Sequence, residues 1–182
     1  SATDVRMAAK EQVESLGGKF VMVEDDELED AETSTGYAKE MSEDFKLKQA
    51  KLITETLASQ DIAICTALIP GKKAPRLISR EQVNSMKPGS VIIDLAAESG
   101  GNCECSKPGE TIEENGVIVV GVENITSTIS QDASSLFSKN ILNFVNILIN
   151  AETKSLDINW EDEIIKGILI TKDKKIMNEE FI

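Results

Sequence analysis

The fold is decided by residues 61–102, which read DIAICTALIPGKKAPRLISREQVNSMKPGSVIIDLAAESGGN. Two apolar runs, Ile62–Cys65 and residues 91–93, flank a Pro-Gly turn and a short polar segment with a capping-box pattern, which predicts a helix between two strands. Strands that are apolar on both faces are typical of the middle of a parallel sheet that helices cover on both sides. In such sheets the ligand binds at the carboxyl ends of the strands, which here carry residues 66–68 and 94–102.

The rest of the chain continues this alternation of apolar strands and amphipathic helices. Further strands are predicted at residues 20–23 and 117–120, and helices at residues 7–16, 37–59 and 132–150. The first residues look like the end of another strand, yet no GxG glycine motif occurs anywhere in the sequence. The pattern therefore predicts an α/β fold, a Rossmann-like doubly wound parallel sheet that lacks its first strand–helix unit.

A change of pattern near residue 150 predicts a second structural region. Residues 156–160 alternate strictly between apolar and polar side chains, and residues 167–171 read as another strand before a charged turn. Neither segment continues the parallel series. We therefore expect a partial Rossmann domain over residues 1–130, and a C-terminal helix with short strands that belong to a second domain over residues 131–182.

The composition excludes several classes of function. The net charge of -13 at pH 7 disfavours nucleic acid as a partner, because phosphate binding needs basic patches. The sequence has no histidine, so a His-dependent nucleophile cannot be assembled from this chain, and neither a metal site nor a catalytic residue is predicted. The three cysteines, Cys65, Cys103 and Cys105, favour a reducing compartment over a disulfide framework.

Two places outside the deciding stretch could serve a ligand. Asp4 follows the apparent end of a strand, where a dinucleotide fold carries the acid that binds the adenosine ribose, but a helix N-cap is an equally good interpretation. Residues 24–32 are almost entirely acidic, and the loop that they begin ends at Gly36 and the single tyrosine, Tyr37. A plain surface loop is the simpler interpretation, and a lid over a ligand is the alternative.

Several segments of the chain resemble one protein family. They are TDVR at residues 3–6, GYAKEM at residues 36–41, TALIPGK at residues 66–72, MKPGSVIIDLA at residues 86–96 and GGNC at residues 100–103. Together they resemble the NAD(H)-binding component (domain I, the alpha subunit) of proton-translocating nicotinamide nucleotide transhydrogenase, over nearly the whole chain. The alanine dehydrogenases are near relatives that share the TALIPG-like and GG-containing segments.

The resemblance implies NAD(H) as the cofactor and direct hydride transfer to or from NADP(H) bound on a partner component, coupled to proton translocation. The enzyme implied is an NAD(P)+ transhydrogenase of the Si-specific type. The binding positions that the resemblance implies, from the adenosine ribose through the lid and the cleft wall to the nicotinamide side, are Asp4, Val5, Arg6, Gly36, Tyr37, Thr66, Ala67, Leu68, Glu98 and Asn124.

The resemblance also implies partners and a location. The partners are an NADP(H)-binding component, a membrane proton-translocating component and the N-terminal half of the same subunit, and a homodimer is expected. The location is the cytoplasmic side of a bacterial inner membrane, or the matrix side in mitochondria. Because the glycine fingerprint is missing, the isolated chain is expected to bind NADH weakly and to be inactive. Two alternatives stay open: an alanine dehydrogenase-like oxidoreductase, and a truncated, non-catalytic fragment.

Overall fold

The computed structural model describes residues 1–4, 6–23, 42–69 and 71–178, in two compact units, Ser1–Ile125 and Thr126–Ile182. Three of the predicted binding positions, Val5, Gly36 and Tyr37, lie outside the described residues, and so does the acidic loop. The helices and strands are α1 (Met7–Ser15), α2 (Glu43–Leu57), β1 (Ile62–Cys65), α3 (Arg80–Ser85), β2 (Val91–Asp94), β3 (Thr111–Glu114), β4 (Val117–Gly121), α4 (Ile125–Thr128), α5 (Ser130–Ile147), α6 (Glu163–Ile168), β5 (Thr171–Lys172) and β6 (Lys175–Ile176).

The first unit is built around a four-stranded sheet with the order β1-β2-β4-β3. Strands β1, β2 and β4 run parallel, and their register places Cys65, Asp94 and Gly121 side by side. The carboxyl ends of three strands therefore meet at one edge. The predicted α/β fold with a parallel sheet at its core is confirmed, and α3 begins with the capping box that the sequence predicts, built from Ser79 and Gln82.

The edge strand β3 was not predicted from the sequence. It pairs antiparallel with β4 through a hairpin whose turn residues, Asn115 and Gly116, both have positive φ. Asn-Gly is the residue pair that two-residue hairpin turns favour, so a signal for this strand was present in the sequence. The polar, charged residues of Thr111–Glu114 masked it, because an edge strand does not need the apolar run that marks a central one.

One face of the sheet carries the core of this unit. Ile92 and Val119 lie side by side on it and are fully buried, together with Leu57 of α2 and Val83 of α3. The other face is different at β1, where Ile62 and Ile64 are 61% and 62% exposed. The prediction that β1 is buried on both faces is therefore wrong for this chain, since α2 and α3 contribute their side chains to the opposite face.

The beginning of the chain forms a small parallel pairing of its own. Ala2 and Phe20 make an isolated parallel bridge, in which the Ala2 amide donates to the Lys19 carbonyl at 2.9 Å and the Val21 amide donates to the Ala2 carbonyl at 2.8 Å. The strand predicted at residues 20–23 is thus reduced to a single bridge. Helix α1 connects the two sides of this bridge, as predicted.

The second unit contains the predicted long helix, α5, but its strands differ from those predicted. Leu156 makes only an isolated antiparallel bridge with Ile149, so residues 156–160 do not form a strand. The strand predicted at residues 167–171 is largely wrong, because α6 covers its first two positions. Asp162 caps α6 by accepting from the amides of Ile164 and Ile165, which is a local signal that outweighs the apolar pattern.

The last described elements form a short hairpin. Thr171–Lys172 pairs antiparallel with Lys175–Ile176, and the predicted charged turn between them is formed by Asp173 and Lys174, both with positive φ. Among the described residues, no helix is both long and apolar enough to cross a bilayer.

Candidate functional site

The carboxyl edge of the parallel sheet brings together the loops that follow β1, β2 and β4. Thr66, Ala67 and Leu68 follow β1, the segment 95–103 follows β2, and Asn124 follows β4. The edge is where ligands bind in parallel α/β sheets, because loops from neighbouring strands diverge there and leave a crevice. Two polar side chains from the loop after β2 connect it to the loops on either side.

Asn102 connects the loop after β2 to the loop after β1. Its side chain is fully buried, its Oδ1 accepts from the Ala67 amide at 3.0 Å, and its Nδ2 donates to the carbonyls of Ala67 at 2.9 Å and Pro75 at 2.8 Å. The peptide groups on both sides of Ala67 are therefore held by one side chain. This fixes the orientation of the predicted cleft wall at Thr66, Ala67 and Leu68.

Glu98 connects the loop after β2 to the loop after β4. It lies in a single 3₁₀ turn, Ala97–Ser99, and its Oε2 accepts from the Asn124 amide at 3.0 Å. Glu98 and Asn124 were both predicted as positions on the nicotinamide side. The structure brings these two residues into direct contact with each other, at the end of the sheet edge away from Ala67.

Asp94 shapes the loop that carries both connecting residues. It ends β2 with a fully buried carboxylate, whose Oδ1 accepts from the Ala96 amide at 3.0 Å and whose Oδ2 accepts from the Cys103 amide at 2.9 Å. The loop passes so close to this carboxylate at Gly101, where φ is +76°, that a Cβ there would lie 2.9 Å from Oδ2. Asp94 and a glycine thus close the loop tightly around the strand end.

Asp94 and Asn102 were not predicted individually as site residues, although both lie in the stretch that decides the fold. The available signal was their position, since each is a polar residue in an otherwise apolar or glycine-rich segment next to a predicted strand end. A buried polar side chain needs hydrogen-bond partners, and backbone groups of the neighbouring loop supply them. Those partners are distant in the sequence, so the pattern alone could not identify them.

The three cysteines are buried beneath this edge as free thiols. Burial raises the pKa of the Cys65 thiol from its ordinary value of 9.0 to about 12, with a further contribution from the negative charge of Asp94. Burial likewise raises the pKa of Cys103 to about 11. Among the described residues, no group of three or more His, Cys, Asp or Glu side chains could hold a metal ion.

We therefore expect the thiols to be unreactive in the folded protein. Only the thiolate attacks iodoacetamide, and at pH 8 groups with pKa values of about 12 and 11 stay protonated. Mass spectrometry should find Cys65 and Cys103 unmodified in native protein and fully alkylated in urea. Because the unfolded thiols ionise near pH 9, stability should fall as pH rises above that value. Rapid alkylation of native protein would contradict the expectation.

Asp4 lies away from this sheet, directly after the bridge between Ala2 and Phe20. Its carboxylate is held by Arg6: Oδ1 accepts from the Arg6 amide at 2.9 Å and from Nε at 3.0 Å, and Oδ2 accepts from Nη2 at 2.7 Å. Arg6, and not Asp4, occupies the N-cap position of α1, which has no side-chain cap. The interpretation of Asp4 as the N-cap residue is therefore wrong, and the carboxylate is fixed in place and about 30% exposed.

The chain has relatives with related folds and sequences. Residues 1–179 match the family model described as Alanine dehydrogenase/PNT, C-terminal domain.

The chain belongs to this family.

Among the members of the Alanine dehydrogenase/PNT family, the first of the separately encoded pieces of the NAD(P) transhydrogenase alpha subunit of Rhodospirillum rubrum is 54% identical over 97% of this chain and 46% of its own length. The protein of the same name from Rickettsia prowazekii is 45% identical over 96% of this chain and 44% of its length. Alanine dehydrogenase 1 of Staphylococcus aureus is 33% identical over 71% of this chain. The resemblance seen in the sequence motifs is thereby confirmed.

Solved structures agree with this assignment. A crystal structure of transhydrogenase from Sinorhizobium meliloti superposes with a TM-score of 0.73 and 44% identity, over 96% of this chain and 44% of that one. An L-alanine dehydrogenase superposes with a TM-score of 0.59 at 22% identity, which indicates a shared fold. The chain spans less than half the length of the transhydrogenase relatives.

Proposed function

We propose that this chain is the NAD(H)-binding part of a proton-translocating transhydrogenase of the Si-specific type. In this function NAD(H) binds along the carboxyl edge of the sheet and exchanges hydride directly with NADP(H) held by a partner component. The observation that carries the proposal is the rigid carboxyl edge, where Asn102 and Glu98 connect the loops after three parallel strands. Dinucleotides bind at such edges, and relatives 54% and 45% identical are named as transhydrogenase subunits.

The chemistry of the proposed reaction suits the residues that are present. A bound reduced nicotinamide supplies the hydride itself, so the protein needs to position the cofactor and needs no nucleophile or general base. This is consistent with a chain that contains no histidine. The side chains of Thr66 and Leu68 would line the cleft, since both are exposed at the sheet edge and Leu68 is 49% exposed.

The fit to NAD(H) covers part of the cofactor. Asp4 is placed to accept hydrogen bonds from the adenosine ribose hydroxyls, and its negative charge would disfavour the 2′-phosphate of NADP(H). The loops after β1, β2 and β4 would hold the nicotinamide side. The glycine turn that cradles the pyrophosphate has no counterpart in this sequence, so that contact must come from other residues.

The N-terminal half found in the relatives is the partner that this chain is proposed to need first. In the described part of the chain, β1 pairs with β2 alone and its Ile62 and Ile64 are exposed. A groove of about 570 Å³ lies between the first residues and α2, and residues that line it include Ser1, Phe20, Met22, Leu52, Thr56 and Gln60. A parallel strand and its helix would pair with the free edge of β1 and cover this apolar surface.

The remaining partners are proposed from the same function. They are an NADP(H)-binding component that supplies the second nicotinamide and a membrane component that couples hydride transfer to proton movement. A homodimer, on the cytoplasmic side of a bacterial inner membrane or the matrix side of a mitochondrial one, is part of this proposal. The relatives named as pieces of a transhydrogenase alpha subunit support a multi-subunit assembly.

Replacing Asp4 with asparagine in the complete protein is expected to raise the dissociation constant for NADH about 10- to 100-fold. A hydrogen bond to a charged acceptor is worth about 1.5–3 kcal/mol, and the substitution removes the charge that orders Arg6. NADH fluorescence titration measures the effect. The matched control is Asp61→Asn, which removes the same charge from an exposed residue at the opposite, amino end of β1, and it should leave the affinity unchanged.

Two outcomes of this experiment would count against the proposal. If Asp4→Asn binds NADH as tightly as the original protein, Asp4 does not contact the ribose. If the complete protein reduces NAD+ with alanine but does not exchange hydride between NADH and an NADP+ analogue, the alanine dehydrogenase alternative is correct. Hydride exchange without alanine oxidation is the result that we expect.

A further inference from the structure

We propose that Asn102 is a positioning residue that sets the affinity for NAD(H) by holding the peptide groups of Ala67. The inference rests on the proposed function, because it assumes that the nucleotide lies against the loop after β1. Asn102 itself is fully buried and does not need to contact the nucleotide. It acts through the segment Thr66, Ala67 and Leu68, whose backbone direction it fixes.

The hydrogen-bonding capacity of the Asn102 side chain is directed at one neighbouring loop. The amide group has two N–H donors, which go to the carbonyls of Ala67 and Pro75, and its oxygen accepts from the Ala67 amide. The paired bonds to the N–H and C=O of Ala67 resemble those of a sheet ladder. An asparagine amide that binds both groups of one residue prevents its two peptide planes from rotating.

This arrangement has a consequence for how the loop can meet a ligand. The N–H and C=O of Ala67 are both occupied by Asn102, so they are not available to the nucleotide. Contacts from this loop must therefore come from Thr66 and Leu68, whose side chains are exposed on either side of Ala67. Rotation of the Ala67 peptides would turn both of these neighbours away from their positions in the crevice.

Loss of the Asn102 side chain is expected to loosen this loop without unfolding the sheet. Backbone bonds that do not involve the side chain remain, since the amides of Leu77 and Ile78 donate to the Asn102 carbonyl at 2.8 and 3.0 Å and Leu95 donates to Cys65 at 2.9 Å. These bonds hold the loop after β2 and the end of β1. The segment around Ala67 is the part that depends on the side chain.

The test compares Asn102→Ala with Val83→Ala in the complete protein. Val83 is fully buried in α3, so its truncation lowers stability by leaving a cavity in the core while all hydrogen bonds at the sheet edge remain. Asn102→Ala should raise the dissociation constant for NADH about tenfold, and Val83→Ala should leave it unchanged. Titrations are made well below the unfolding temperature of each variant. Asn102→Ser, which keeps a hydroxyl too short to reach both groups, gives the same comparison if the alanine variant does not fold.

Hydrogen exchange at the Ala67 amide is the second measurement. In the original protein and in Val83→Ala this amide should be protected, and in Asn102→Ala it should exchange rapidly while the amides of β2 stay protected. Unchanged NADH affinity in both Asn102 variants would overturn the inference, and so would an equal loss of affinity in Val83→Ala. If the original complete protein binds no NADH, the proposed function itself fails, and the inference fails with it.

Discussion

Gly121→Ala is expected to lower the free energy of unfolding by about 3 kcal/mol or more, the largest effect of a single methyl group in this chain. A Cβ at Gly121 would lie 1.9 Å from the Lys107 carbonyl oxygen and 2.6 Å from its carbonyl carbon. Both atoms belong to backbone, so no side-chain rotation can relieve the overlap. Overpacking of this kind costs about 1–3 kcal/mol when neighbours can move, and more when they cannot.

The backbone around Gly121 explains why Lys107 cannot retreat. The Gly121 amide donates to the Glu110 carbonyl at 2.9 Å, and the Gly109 amide donates to the Gly121 carbonyl at 2.9 Å. These two bonds hold the segment before β3 against the end of β4. Glycine is needed here because a second stretch of backbone passes directly over the strand.

Chemical denaturation of the complete protein measures the effect of Gly121→Ala. The matched control is Gly167→Ala, where a Cβ would meet nothing within 4 Å and where the residue lies inside helix α6. That substitution should be neutral or stabilise by up to about 1 kcal/mol, because alanine favours helix more than glycine does. Equal stability of the two variants would mean that the segment at Lys107 is not held as described.

Asp94→Ala is expected to lower the free energy of unfolding by about 3–4 kcal/mol. The substitution removes the acceptor for the amides of Ala96 and Cys103, and each buried N–H that is left without a partner costs about 1–3 kcal/mol. The loop between these two amides carries Glu98 and Asn102. The loss should therefore also weaken NADH binding, because both connections to the neighbouring loops start from this loop.

Denaturation and NADH titration of the complete protein test this prediction together. The matched control is Asp61→Ala, which removes an exposed carboxylate that pairs with Lys87 at 3.2 Å. An exposed ion pair contributes at most about 1 kcal/mol, so this variant should resemble the original protein in both measurements. A stability loss of less than about 1 kcal/mol for Asp94→Ala would show that the two amides find other acceptors.

The elements that were predicted correctly are those whose signal is local. The apolar runs of β1, β2 and β4 identify strands because a central parallel strand must be apolar, and the capping box of α3 uses residues three positions apart. The parallel arrangement follows from the helices between the strands. The errors in the second unit arose where apolar periodicity was followed and the cap at Asp162 was overlooked.

The candidate site was predicted in outline. The sequence placed it at the carboxyl ends of the strands, and it identified Ala67, Glu98 and Asn124 as residues of that edge. It did not identify Asn102 and Asp94 as the residues that hold the edge together. Asn102 binds Ala67 across 35 positions of the chain, and nothing in the pattern around either residue encodes a bond of that range.

By itself, the sequence determined the α/β class, the parallel strands, the family and the edge of the sheet where a ligand belongs. Each of these depends on residue types that repeat or cluster over a few positions, so each is visible without coordinates. Only the tertiary structure decided which polar side chains connect the loops, that Arg6 holds Asp4, and that Gly121 lies under a second backbone segment. Those contacts join segments by satisfying buried polar groups and close approaches, and their partners exist only once the chain has folded.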